Sequence, residues 1–196
     1  MKYIKQNDYP HIRYSTNLVD PTDDRMTHGT FARSGCGLAS LMMVADRLLV
    51  DYKFDMRDAI ELSCATGANR WIGTSLRYIA PVFAYKFGLE LEMTDDPQKL
   101  LHCLRTGGCA VAHSSGDREG RIGVFTHGGH YIVPINEERD GRIAILDPYQ
   151  TEQKLSEETF TSAVEVQDNI FKCSLETLVE DCKPASGIPF YLFRRK

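Results

Sequence analysis

The hydrophobic pattern of this chain changes period once, and that change limits the fold more than any other feature. From Gly37 to about residue 107 apolar residues recur every three or four positions, as on one face of a helix. Beyond it they alternate or gather in strand-length blocks. Leu38, Leu41, Met42, Ala45, Leu48 and Leu49 give one broad apolar face, with Ser34 as a candidate cap and Cys36 in the first turn. A second helix is expected from Asp55 to about Ala65, with Asp55 as cap. A third starts near Thr74 and is stopped by Gly88, with Pro81 predicting a kink or a late start. The fourth has Asp96 as cap, Pro97 at its first position and Gly107 as terminator.

The strand-like segments that follow are CAVAHSS, RIGVFTHG, GHYIVPINE and IAILDPY, the last two joined across an Asp140-Gly141 turn. Helices near Ser156 to Val164 and Ser174 to Cys182 interrupt them, and IPFYLFRR reads as a closing strand. Helices first and antiparallel strands second indicate an α+β fold with the helices on one side of a sheet. No low-complexity linker divides the 196 residues. One domain over 1–196 is therefore expected, with an extended arm at 1–33, a helical lobe at about 34–107 and a sheet lobe at about 108–196. The cleft between the lobes is the place to look for a site.

Composition excludes more than it identifies. The formal charge of −4 and the lack of a basic run argue against a nucleic-acid partner. No stretch approaches 18 consecutive apolar residues, so no membrane span is expected, and MKYIKQNDYPH lacks the apolar core of a signal peptide. Six cysteines at 36, 64, 103, 109, 173 and 182 form no CxxC pair. They read as mostly reduced, with Cys103 and Cys182 as small buried hydrophobes. Free thiols and the missing leader point to the cytoplasm; a leader removed from the chain would leave no trace, and the location expected is then extracellular.

Cys36, in SGCGLAS, is the exception among the six. A thiol in the first turn of a helix meets unpaired backbone N–H groups and the positive end of the helix dipole, and both favour the thiolate. The flanking Gly35 and Gly37 would leave space for an approaching substrate. A nucleophilic thiol needs a base, and the base an orienting group. His130 opens the strand after Gly128-Gly129, and Asp147 ends the next strand. In the hairpin implied by Asp140-Gly141, the start of one strand faces the end of the other, so the two side chains should meet. Separately, Cys36 reads equally well as a structural cysteine, His130 as an edge-strand histidine and Asp147-Pro148 as a turn. Together they supply a nucleophile, a base and an orienter.

In order along the chain, SGCGLASLMMV, GGHYIVPI and ILDPY resemble the C39-like branch of the papain-like cysteine peptidases. The resemblance covers roughly residues 3 to 149. It implies a papain-like fold, a helical N-terminal half packed against an antiparallel C-terminal sheet. It also implies a catalytic Cys36, His130 and Asp147, and an oxyanion-hole role for Gln6, which stands in YIKQNDY where the family has a glutamine. Three departures stand out: Leu38-Ala39 replaces a proline-containing pair, 17–31 lengthens the approach to the cysteine, and Pro134 demotes its strand towards an edge or a bulge.

The function implied is hydrolysis of a peptide or amide bond through a thiolate–imidazolium pair and an acyl-enzyme, with a peptide or amide-containing substrate as partner. An acyltransferase using the same residues, or a catalytically silent peptide-binding module, are the alternatives. No cofactor is implied. A zinc site from His127 and His130 with Cys109 or His113 is disfavoured, because strand residues three apart point to opposite faces. Asp117, Glu119 and Arg121 read as a solvated loop that could touch substrate, and Trp71 as a core plug or a cleft wall.

Overall fold

Alternate residues of the central strands point into two separate cores. In the computed structural model Cys109, Val111, Tyr191 and Phe193 face one apolar cluster, and Ala110, Ala112, Phe190 and Leu192 the other. This period-two partition is what a sheet covered on both sides requires. The structure describes residues 1–14, 29–70, 73–183 and 187–196. Most of the 17–31 stretch, and Trp71, lie outside the described residues.

The described elements begin with a 3₁₀ turn at Gln6–Asp8 and a short helix α1 at Phe31–Ser34. Helices α2 (Cys36–Leu48) and α3 (Met56–Ala65) follow, then a small hairpin of β1 (Asn69–Arg70) and β2 (Gly73–Thr74). Next come α4 (Leu76–Lys86), β3 (Leu89–Thr94), α5 (Pro97–Arg105) and β4 (Cys109–Ser114). The rest of the chain supplies β5 (His130–Glu137), β6 (Ile143–Leu146), α6 (Glu152–Ser156), α7 (Glu158–Thr161), β7 (Glu165–Gln167), β8 (Ile170–Cys173), α8 (Leu175–Asp181) and β9 (Phe190–Arg195). The large sheet has seven strands in the order β3-β9-β4-β5-β6-β8-β7, every neighbouring pair antiparallel.

Capping accounts for several helix starts. Asp55 and Asp58 form a reciprocal capping box on α3, Asp96 accepts the Gln98 N–H at 2.8 Å with Pro97 first in α5, and Ser174 caps α8. Helix α2 begins differently. Ser34 closes α1 instead of capping, and Gly35 occupies the cap position with no side-chain bond. Leu38, Leu41, Met43 and Val44 of α2 are fully buried against the sheet, each contributing about 1.5–3 kcal/mol of apolar burial.

Other sequence expectations need correction. The helices lie on both faces of the sheet: α2, α3 and α4 cover one, while α5, α7 and α8 supply Leu100, Phe160 and Leu178 to the other. The α4 helix starts after Thr74, which is taken into β2, and it retains Pro81 inside. RIGVFTHG forms no strand. Its Val124 and Phe125 N–H groups donate to the buried Asp181 carboxylate at 2.6 and 3.3 Å, so this backbone is satisfied by a side chain and not by a neighbour strand. Pro134 sits in a central strand and not at an edge, and the ladder shifts register between Pro134 and Asn136, a bulge that accommodates the missing donor. The arm is anchored where described: Ile4, Gln6 and Tyr14 are buried, and Arg13 bridges to Thr30. Among the described residues no helix is long and apolar enough to cross a membrane.

Candidate active site

The N-terminus of α2 and the ends of β5 and β6 meet at one place. Cys36 is the first residue of α2, His130 the first of β5, and Asp147 follows the last residue of β6. The hairpin turn has Gly141 at φ +82°, a left-handed conformation that glycine adopts freely. The ladder then pairs Val133 with Leu146. One step further along each strand, Asp147 becomes a diagonal neighbour of His130.

The three side chains are linked. His130 Nε2 lies 2.7 Å from Asp147 Oδ1, which leaves Nδ1 for the Cys36 thiol, and the imidazole is the neighbour that most favours the thiolate. Asp147 is fully buried, His130 nearly so and Cys36 half-buried. Burial pushes the Cys36 thiol up, but His130 and the backbone N–H groups of Tyr131 and Gly37 outweigh it and hold the thiol below its ordinary value. Burial likewise works against the charged imidazole, yet Asp147 and the thiolate raise His130 to about 9. Asp147 is lowered despite its burial, chiefly by Lys154 and then by His130. Both directions favour separation of charge between the sulfur and the imidazole, with a carboxylate behind the ring.

Gln6 is brought to the same place by the arm. Its backbone N–H donates to the Pro148 carbonyl at 2.7 Å, and its side-chain Nε2 to the Ala32 carbonyl at 2.8 Å. It therefore joins the strand end that carries Asp147 to the turn that precedes Cys36. Nε2 retains a second hydrogen, and Oε1 is buried without a partner. Tyr3 tightens the dock by donating its hydroxyl to the Asp147 carbonyl at 2.7 Å.

The glycines beside Cys36 serve packing, which corrects the expectation that they clear space for substrate. A Cβ on Gly35 would lie 2.5 Å from the Phe31 carbonyl oxygen, and one on Gly37 would lie 2.8 Å from Thr74 Cβ. Thr74 belongs to the β1–β2 hairpin, and its hydroxyl bonds the buried Tyr14 hydroxyl at 2.8 Å, so the hairpin is pressed directly onto the start of α2.

His127 does not join the site. Its ring bridges Asp117 and Glu157, with nitrogen–oxygen distances of 3.1 Å on both sides, and among the described residues no cluster suits a metal ion. His113 does approach it: its ring lies 4.8 Å from that of Tyr131, and burial together with the charge on His130 lowers its pKa. Arg121 and Glu119 remain on the loop after Asp117, away from these contacts. Sequence reasoning missed Lys154, whose ammonium contacts Asp147 Oδ2, and Tyr149, whose N–H donates to Asp147 Oδ1 at 2.8 Å. The only trace of Lys154 in the sequence is Thr151 three residues earlier, a helix cap that turns the lysine inward.

No known protein-family profile matches the chain, and no curated protein is detectably similar to it in sequence. Its architecture is nevertheless shared with a solved structure, the peptidase domain of Streptococcus ComA, a bifunctional ABC transporter involved in a quorum-sensing pathway. The two superpose with a TM-score of 0.51 over 94% of this chain and 100% of that domain, at 15% sequence identity. At that identity the likeness concerns the fold, and the chain shares the α+β fold of that peptidase domain.

Proposed function

We propose that this chain is a cysteine peptidase or amidase that cleaves a peptide or amide bond through a covalent acyl-enzyme. The observation that carries the reading is the convergence of Cys36, His130 and Asp147, with the thiol lowered at one end and the imidazole raised between it and the carboxylate. In this mechanism the Cys36 thiolate attacks the carbonyl carbon. The backbone N–H of Cys36 and the free hydrogen of Gln6 Nε2 stabilise the tetrahedral oxyanion. His130 gives its Nδ1 proton to the leaving amine, and the C–N bond breaks to leave a thioester. Water then enters, His130 takes its proton as general base, and the acid is released as the thiolate re-forms. Asp147 holds the imidazole in the tautomer this sequence needs.

The test is incubation with a mixed peptide library, read by mass spectrometry, beside a Cys36→Ala variant. New cleavage products in the parent and none in the variant support the reading; the same products in both assign them to a contaminant. Added small amines should appear in the products if an acceptor other than water takes the acyl group, which separates acyl transfer from hydrolysis.

A further inference from the structure

Lysine is among the residues least often buried, and then only with a partner. Lys154 is 7% exposed, while Glu152 and Gln153 beside it on α6 face solvent. Thr151 fixes this orientation by accepting the Lys154 N–H at 3.2 Å. The ammonium then reaches Asp147 Oδ2 and, at 3.3 Å, the Tyr149 carbonyl. The other carboxylate oxygen, Oδ1, accepts from His130 at 2.7 Å and from the Tyr149 N–H at 2.8 Å. Asp147 is thus divided between two cations, one permanent and one that must give up its proton.

We propose that Lys154, clamped between Asp147 Oδ2 and the Tyr149 carbonyl, is a positioning residue that keeps the buried carboxylate anionic with Oδ1 turned to His130 and adds a fixed positive charge to the reaction centre. The inference rests on the thiol-hydrolase reading above, since it concerns the same Cys36–His130 pair. The other titratable groups facing that pair are Tyr3 on the Asp147 carbonyl, with Asp8 beside it, Tyr149 against the His130 ring, His113, and Tyr14 and Tyr131 near the sulfur. Burial raises Tyr3, Tyr14 and Tyr131 and lowers His113, which keeps all four neutral around pH 7. Among the described residues no other lysine or arginine contacts Asp147, His130 or Cys36.

A fixed cation lowers the proton affinity of every group near it. Both protons of the pair feel this: the one whose loss creates the thiolate and the one whose loss discharges the imidazolium. Removing the charge should therefore move both limbs of a bell-shaped pH profile upward together. For a unit charge set one carboxylate away from the imidazole in a partly solvated protein medium, the displacement is about one pH unit.

The experiment is the rate of Cys36 modification by iodoacetate against pH, an anionic reagent that favours the imidazolium form and so reports both limbs. It is run on the parent and on Lys154→Met, Lys154→Gln and Lys154→Arg, with each Tm measured alongside. Methionine preserves the bulk, and glutamine preserves a hydrogen bond to Asp147 if the methionine variant does not fold. The expected result is an upward displacement of both limbs by about one unit in the neutral variants, with the arginine variant close to the parent. Limbs that stay in place in a folded neutral variant would overturn the proposal and reduce Lys154 to a packing ion pair. A parent with no low-pH limb at all would instead refute the thiol-hydrolase reading itself, so the two failures are distinguishable.

Discussion

Replacement of His130 by alanine should remove most of the reactivity of Cys36 at neutral pH, and the size of the loss follows from the site. In the parent, burial opposes the thiolate while His130 and two backbone N–H groups more than offset it. Alanine removes both contributions of the imidazole and leaves the burial, so the thiol returns to or above its ordinary value of 9.0. At pH 7 a thiol of that kind is ionised to roughly one part in a hundred, whereas the parent, whose thiol His130 and the backbone N–H groups hold below that value, carries a larger thiolate share. A more basic thiolate is intrinsically more nucleophilic, with a Brønsted slope of about 0.4–0.5, which recovers part of the difference. The net expectation is a fall of about tenfold or more in the iodoacetamide rate at pH 7, with the sigmoidal onset moved to higher pH. Mass spectrometry must place the label, because Cys64 is exposed and competes for reagent; a Cys64→Ser background removes that ambiguity. Equal rates and equal onsets in parent and variant would show that His130 does not activate the sulfur, and the proposed chemistry would fall with it.

Three further outcomes follow from particular contacts. Gln6→Ala should lower kcat on any peptide substrate by about 10²–10³-fold while leaving the iodoacetamide pH profile in place, because alkylation builds no charge on a carbonyl oxygen; an unchanged kcat would remove Gln6 from the oxyanion hole. Gly37→Ala drives a methyl into Thr74, 2.8 Å away, and should cost about 1–3 kcal/mol, read as a lower Tm in thermal denaturation; a Tm at the parental value would mean that the hairpin yields without cost. Asp181→Asn turns an amide N–H₂ towards donors that now bind a carboxylate, the Ser114 hydroxyl at 2.6 Å and the N–H groups of Val124 and Phe125. The expected loss is about 1–3 kcal/mol, with faster amide exchange at residues 124 and 125; protection equal to the parent would contradict the role given to this carboxylate.

Where the backbone is satisfied locally, the sequence was a sufficient guide to the fold. Asp55, Asp96 and Ser174 cap helices within their own first turns, and the Asp140-Gly141 turn closes a hairpin between adjacent strands. The misread 121–128 segment and the strands left unassigned lack such a local mark. The 121–128 stretch has a strand's apolar content, but the N–H groups of Val124 and Phe125 at its centre are taken by Asp181, more than fifty residues away. LELEMT alternates plainly, yet becomes the edge strand β3 only by pairing with β9 about a hundred residues later. The short β7–β8 hairpin turns at Asp168, a non-glycine residue at φ +54°, so the usual glycine signal is missing.

The site divides along the same line. Cys36, His130 and Asp147 stand at the ends of elements, and element ends leave local marks: flanking glycines, the start of an apolar run, an aspartate before proline. A hairpin turn then suffices to bring the histidine and the carboxylate together. Gln6 and Lys154 carry no such marks. An isolated glutamine in a polar arm and a lysine three residues after a threonine both look solvated, and only the tertiary structure reverses that. Gln6 becomes buried because the Pro148 carbonyl needs a donor, and Lys154 because Asp147 is a buried anion whose second oxygen His130 does not reach. Both are consequences of taking a carboxylate and its strand end out of water. The residues that set the properties of a buried reaction centre are in this sense recruited by its unsatisfied polar atoms, and finding them requires asking, for each buried oxygen at the site, which donor it has.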